Sequence, residues 1–150
     1  MPDSEAIALP DFDLMRFTPY RLAVAAQETS EELARQYRSR FGISIPQWRV
    51  LVHLAHAGEV SVREIEARVA MEKSKVSRAA SKLESAGLIV KSVNAEDRRL
   101  ISMSLTPKGR ALMAELLVIA RSYQQEIEKR LGTSYSGFES GLDRLLGETP

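Results

Sequence analysis

The sequence predicts a mainly α-helical protein with one small β hairpin, on three observations. Residues 61–85 hold two short amphipathic segments of helical period, only a few residues apart. Residues 88–105 hold two aliphatic runs around a polar tip, the pattern of a hairpin. Longer apolar stripes of helical spacing lie on both sides of that block.

In chain order, residues 1–13 contain Pro2, Pro10 and several acids without periodicity, so a loose segment, or one draped over a partner subunit, is expected. A long helix opens at Thr18-Pro19, where proline suits the first turn. It places Leu22, Ala26, Thr29, Leu33 and Tyr37 on one face and runs to about Arg40. Ala23, Val24 and Ala25 widen its apolar surface, which suits a helix packed against more than its own domain. Phe41-Gly42 closes it. A second helix starts at Pro46, behind Ser44 or Ile45, with Trp48, Leu51, Val52 and Ala55 as its stripe and Gly58 at its end. Glu59-Val60 is a short extended link able to pair beside the hairpin.

Ser61 and Glu64 then have the S-x-x-E spacing of a capping box. Val62, Ile65 and Val69 share one inward face, and Ala70-Met71-Glu72 form the turn into the next helix. There Val76, Ala79, Ala80 and Leu83 point inward, while Lys73, Ser74, Lys75, Ser77, Arg78, Ser81 and Lys82 point outward, with no acid before Glu84. Lysine and arginine neutralise phosphates, and serine donates to a phosphate or sits close to a base edge. The competing explanation is an ordinary solvated helix face. Gly87 suits the left-handed residue that ends such a helix.

Leu88-Ile89-Val90 and residues 100–105 are the two strands. In the second, Ile101, Met103 and Leu105 alternate with Ser102 and Ser104, the period of a half-buried strand. The loop between them, around Asn94, carries Asp97-Arg98-Arg99 at its tip. Arginine suits a narrow, electronegative minor groove. A neighbouring carboxylate such as Asp97 can hold a guanidinium in a fixed pose; an ordinary surface ion pair would be worth little. Thr106 and Pro107 open a long helix with Leu112, Leu116, Ile119, Tyr123 and Ile127 in its stripe and Leu117, Val118 and Ala120 beside it. A last helix over about 134–146 shows Phe138, Leu142, Leu145 and Leu146. The order is thus a helix-turn-helix, a wing, and flanking helices. A winged head does not need three further helices to bury its own core. A two-fold homodimer would cover their apolar faces and pair two reading heads with two DNA half-sites roughly one turn apart.

Residues 41–109 resemble the multiple-antibiotic-resistance regulator (MarR) family of winged-helix transcription factors. The resemblance rests on an ordered set: Ile45-Pro46-Gln47-Trp48-Arg49-Val50-Leu51, Ser74-Lys75-Val76-Ser77-Arg78, Leu83-Glu84-Ser85-Ala86-Gly87-Leu88-Ile89, Asp97-Arg98-Arg99, and Leu105-Thr106-Pro107-Lys108-Gly109. It implies one domain over 14–150, with a winged helix-turn-helix DNA-binding region at 43–105 and dimerisation helices at 14–42 and 106–150. It implies that Arg99, two residues after the wing aspartate, reaches the minor groove. Glu72 departs from the small hydroxyl residue that often opens the family's recognition helix. The resemblance further implies control by a small ligand, often an anionic aromatic compound or related metabolite, where the dimer helices meet the head. Candidates are Tyr20 and Trp48 as flat apolar walls, Arg49 as a partner for a carboxylate, and His53 as a pH-responsive donor. Trp48 also fits a core role, and Arg49 an ordinary ion pair.

The totals agree. The chain has 150 residues, 44% apolar and 27% charged, ordinary for a globular domain. There is no apolar run long enough for a membrane span, and the acidic start does not read as a signal peptide. With no cysteine, disulfides and thiol sensing are ruled out, and a cytoplasmic location is expected. The net charge of +1 hides an asymmetry: residues 61–110 carry eleven Lys/Arg against six Asp/Glu, a net of +5, and the remainder ten against fourteen, a net of −4. That is the footprint of a directed nucleic-acid surface.

The expected DNA-binding set is Ser61, Lys73, Ser74, Lys75, Ser77, Arg78, Lys82, Arg98 and Arg99, with Asp97 orienting the wing. The expected function is a sequence-specific double-stranded DNA-binding regulator, a ligand-responsive repressor acting as a homodimer on a pseudo-palindromic operator. The alternative is a low-specificity nucleic-acid-binding or architectural protein of the same fold, which would show a steep salt dependence and little preference. No G-x-S-x-G, phosphate loop, H-E-x-x-H or cysteine nucleophile points to an enzyme. No cofactor is expected, and His53 with His56 lacks the further ligands of a metal site.

Overall fold

A computed structural model of the chain describes residues 6–68, 71–93, 95–97 and 100–148. Among these the order is α1 (Thr18–Phe41), α2 (Ile45–Ala57), β1 (Val60–Ser61), α3 (Val62–Arg68), α4 (Lys73–Ser85), β2 (Ile89–Val93), β3 (Ile101–Leu105), α5 (Pro107–Leu131) and α6 (Tyr135–Leu145). Single 3-10 turns precede α1 at Leu14–Arg16 and α6 at Gly132–Ser134. The fold is mainly α with a small antiparallel wing, as expected. The expected positions Val69, Ala70, Asn94, Arg98 and Arg99 lie outside the described residues.

Short-range chemistry explains the helix limits. Ser44 caps α2 with a complete capping box: its Oγ accepts from the Gln47 N–H at 3.2 Å, and Gln47 Oε1 accepts from the Ser44 N–H at 2.8 Å. Ser61 Oγ accepts from the Glu64 N–H at 3.1 Å and starts α3. The end of α4 is a left-handed turn at Gly87, φ 74°, with the Leu88 N–H returning to the Leu83 carbonyl at 3.0 Å. Thr106 joins that turn to the next helix. Its Oγ1 accepts from the Gly109 N–H at 3.0 Å and donates to the Gly87 carbonyl at 2.6 Å.

The sheet order is β1-β3-β2, antiparallel throughout. The link through Val60 does pair beside the hairpin, Val60 opposite Met103 and Ser61 opposite Ser102. The expected alternation in β3 holds only in part. Met103 is buried, but Ile101 is 43% exposed and Ser102 only 7%. Ser102 sits in the central strand between Ser61 and Ser92, whereas Ile101 pairs with Val93 on β2 alone, beyond the end of the two-residue β1.

One apolar cluster joins the head to the long helices: Ala34 and Tyr37 from α1, Val50, Leu51 and Leu54 from α2, Ile65, the four inward residues of α4, Met103, and Met113, Leu116 and Ile119 from α5. Val50, Leu54 and Met113 fall outside the expected stripes because α2 and α5 are covered from more than one side. In contrast, Ala26 on the expected α1 face is exposed, and α6 has no buried residue.

Far from the head, Glu32 ties α1 to α5. It accepts from the Tyr123 hydroxyl at 2.8 Å and from Arg130 at 3.0 Å. The hydrogen bonds from Arg130 and then Tyr123 hold the Glu32 carboxyl below its ordinary range. Burial, followed by the Glu32 bond, pushes the Tyr123 hydroxyl up to about 12. A depressed carboxylate contributes stability that is complete above its unfolded value and is lost as the pH falls through the folded one. Glu32→Gln should therefore lower the urea midpoint at neutral pH, with variant and wild type converging in acid; parallel midpoint curves would contradict the tie. A second expectation concerns Gly109. A Cβ there would fall on the Leu88 carbonyl oxygen, which the Thr106 N–H holds at 3.1 Å. Because backbone cannot step aside as a side chain would, Gly109→Ala should cost about 1–3 kcal/mol by thermal melting.

Candidate nucleic-acid interface

The inner face of α4 is apolar and its outer face is cationic and hydroxylic. Val76, Ala79, Ala80 and Leu83 are buried, as expected. Lys73, Ser74, Lys75, Ser77, Arg78, Ser81 and Lys82 are all exposed. None of the four cations has an ion-pair partner among the described residues. Helical spacing sorts them further. Ser74 and Arg78, at i and i+4, point most directly away from the buried side. Ser77 and Ser81 lie on one flank. Lys75 and Lys82, two turns apart, lie on the other, which faces the first turn of α2.

Glu72 is the N-cap of α4 and makes no side-chain cap hydrogen bond. The departure from a small hydroxyl residue thus has a structural consequence: the first-turn N–H groups of α4 receive no side-chain cap from Glu72. Ser61 is half-buried at the start of α3, and its oxygen is engaged in capping, which leaves the hydroxyl proton to donate outward.

The wing is anchored at its base. Lys91 of β2 lies 4.0 Å from Glu84 at the end of α4, and β2 and β3 pair from Ile89 opposite Leu105 to Val93 opposite Ile101. Beyond the strands, the Leu100 N–H donates to the Asp97 carbonyl at 3.0 Å. Asp97 is half-buried there. The arginines it was expected to orient, Arg98 and Arg99, are outside the described residues.

The four expected effector residues are brought together only in part. Trp48 stacks on Tyr37, with centroids 5.4 Å apart and planes at 23°. Burial pushes the Tyr37 hydroxyl up to about 12, so it stays neutral. Arg49 and His53 follow on the same helix and are half-buried. His53 Nδ1 lies 2.6 Å from the Arg49 carbonyl, so Nδ1 carries the proton and Nε2 is left for an outside partner. Tyr20 is not beside them: it precedes Tyr37 by seventeen residues, about 25 Å along a continuous helix. Two clefts that no sequence pattern indicated flank the first half of α5. One, about 790 Å³, is lined by Phe41, Ile43, Leu88, Ala111 and Leu112 together with Lys108 and Glu115. Lys108 Nζ is already committed to the Ala86 carbonyl at 2.9 Å. The other, about 440 Å³, is lined by Ala55, Leu105, Met113 and Leu117 with Arg110. Only tertiary packing assembles these walls, so no local pattern announced them. Among the described residues, no group of three or more His, Asp or Glu is placed to hold a metal ion, and no helix is long and apolar enough to cross a membrane.

The sequence model of the MarR family matches residues 41–100, from the end of α1 to the wing. The HTH-type transcriptional repressor MdtR of Bacillus subtilis strain 168 is 37% identical over 76 residues, 51% of this chain and 49% of that protein. The chain spans about half the length of the curated relatives it matches. Among solved structures, the transcriptional regulator PA3341 is 32% identical with a TM-score of 0.77, covering 87% of this chain and 96% of that one. A MarR family transcriptional regulator from Silicibacter pomeroyi DSS is 27% identical with a TM-score of 0.75, covering 89% and 87%. Taken with the exposed cationic face of α4 and the paired wing, these likenesses place the chain in the MarR family of winged-helix, DNA-binding transcriptional regulators.

Proposed function

We propose that the protein is a ligand-responsive repressor that binds a pseudo-palindromic operator as a homodimer. The observation that carries the reading is the two-sided α4: a buried apolar face behind an exposed face of cations and hydroxyls. In the proposed complex α4 lies in the major groove, with Lys73, Ser74, Lys75, Ser77, Arg78 and Lys82 toward the DNA and Ser61 at a neighbouring phosphate. Arg98 and Arg99, held by Asp97, enter the adjacent minor groove.

A second copy is supported by apolar surface that the chain leaves uncovered. Phe12, Leu14, Met15, Phe17, Tyr20 and Val24 are exposed at one end, and Leu117, Val118, Phe138, Leu145 and Leu146 at the other. Pairing these helices by a two-fold axis would cover them and present two reading heads. The proposed effector, a small anionic aromatic compound or related metabolite, meets Trp48, Arg49 and His53. Tyr20 joins them only from a second copy. An effector releases DNA to the extent that it binds better to the arrangement in which the two α4 helices are wrongly spaced.

Competition binding at fixed salt tests the regulator against the architectural alternative. A regulator should prefer its operator over a scrambled duplex by about 10³-fold or more; equal binding with a steep salt slope would support the architectural protein instead. Arg99→Ala should weaken operator binding at least tenfold while light scattering still reports a dimer. Undiminished binding would remove the wing from the interface.

A further inference from the structure

Two residues at the start of α5 hold the end of α4 by three successive carbonyls. Lys108 Nζ donates to the Ala86 carbonyl at 2.9 Å. Thr106 Oγ1 donates to the Gly87 carbonyl at 2.6 Å, and the Thr106 N–H donates to the Leu88 carbonyl at 3.1 Å. The same Thr106 oxygen accepts from the Gly109 N–H, so one hydroxyl serves both helices. Lys108 is exposed and has no carboxylate partner among the described residues. An exposed lysine ordinarily keeps its ammonium in water. This one places it on the C-cap carbonyl of α4, at the negative end of the helix dipole.

We propose that Lys108 and Thr106 are positioning residues for operator recognition. They set the angle at which the reading head leaves α5, and so the half-site spacing that two paired copies accept. The inference rests on a homodimer that binds a two-part operator. Apolar burial fixes the inner face of α4 within the head, and Met113, Leu116 and Ile119 carry the same cluster onto α5. Such contacts are non-directional. Hydrogen bonds weaken steeply when bent, so the corner between residues 86–88 and 106–109 is where direction is set. The lever is long. Ser74 lies twelve residues before Ala86, about 18 Å along the helix. A tilt of roughly 10° at the corner would carry Ser74 about 3 Å, close to the rise of one base pair, about 3.4 Å. Within one head such a tilt moves the reading residues together. Between two heads it changes the distance from one α4 to the other, which is what a two-part operator discriminates.

The test uses the full-length protein and an operator selected from random-sequence duplexes by repeated rounds of binding. Two further duplexes carry the same half-sites with one base pair added or removed between them, and a fourth is scrambled. Affinities are read by fluorescence anisotropy at fixed salt, well below each variant's melting midpoint. Wild type should prefer the selected spacing over either altered one by about tenfold or more. Lys108→Met keeps an unbranched chain of similar length and loses the ammonium; Thr106→Val loses the hydroxyl. Each should remain dimeric by light scattering, bind the scrambled duplex within about threefold of wild type, and reduce the spacing preference at least fivefold. Lys108→Arg, which keeps a cationic donor for the Ala86 carbonyl, should restore most of that preference. Taking a ratio removes the loss of one charge, which acts on every duplex alike. An unchanged spacing ratio in Lys108→Met overturns the proposal. So does an equal loss on all four duplexes, which would make Lys108 a phosphate contact. If Thr106→Val fails to fold, Lys108→Met, altered at an exposed side chain, decides the question alone. A wild type that prefers its operator but accepts every spacing equally overturns this proposal and leaves the regulator reading standing. A wild type that prefers no selected duplex refutes that reading, and the positioning role with it.

Discussion

The reading head depends on the burial of one helix face. Val76, Ala79, Ala80 and Leu83 enter the core that α2, α3, β3 and α5 build. The contact with α2 is the most extensive between helices. Two of the four are alanines, which lets the backbones approach closely. Because interiors are close-packed, such a face has little freedom to rotate. Once it is locked, every cation and hydroxyl of α4 is directed outward by helical period alone. A helix with the same outer residues but a looser inner face would present its cations in many poses and lose the geometric basis of discrimination.

Three polar devices extend that lock along the chain. The left-handed turn at Gly87 ends α4 at a defined residue. Thr106 bonds back to that turn while capping α5, and Lys108 bonds to the Ala86 carbonyl. The end of the recognition helix and the start of α5 are therefore one rigid corner, with Gly109 fitted under the Leu88 carbonyl. At its far end α5 is tied to α1 through Tyr123, Arg130 and Glu32. A single helix thus spans from the DNA-reading head to the surface where apolar residues are exposed. A change in how two copies pack would be felt at α4 through a strut with no flexible joint among the described residues. The proposed effector response needs such a connection, since small shifts are amplified only across rigid elements with two arrangements.

Electrostatically, the molecule is near neutral as a whole but polar in its distribution. Among the described residues the cations of α4 have no ion-pair partner, so arriving phosphates and departing counterions would relieve the cost of bringing them together. Several carboxylates are paired within the fold. Glu32 is satisfied between α1 and α5, Glu84 meets Lys91 at the base of the wing, and Glu31 lies near Arg38. Glu72 is an acid at the leading end of the reading helix with no side-chain capping bond. Its charge is favourable to the helix dipole and unfavourable to nearby phosphates, and it separates the serine and cation rows from the turn before them.

Local chemistry was sufficient for much of this. The S-x-x-E spacing, the proline openings and the glycine endings determine where helices start and stop, because caps act over three or four residues. The inward and outward sides of α4 follow from its period for the same reason. What the tertiary structure decided were relations between distant segments. Val50, Leu54 and Met113 are buried because α2 and α5 are covered on several sides, which no single stripe reveals. Ser102 is covered and Ile101 is not, because β1 is two residues long and shields only part of β3. Trp48 meets Tyr37 and not Tyr20, because α1 is one long continuous helix. Gln47 lies beside Lys75 and Lys82 because α2 packs on α4. Periodicity along a chain reports which side of an element is apolar; only the closure of loops and the fit of one face against another decide what that side touches.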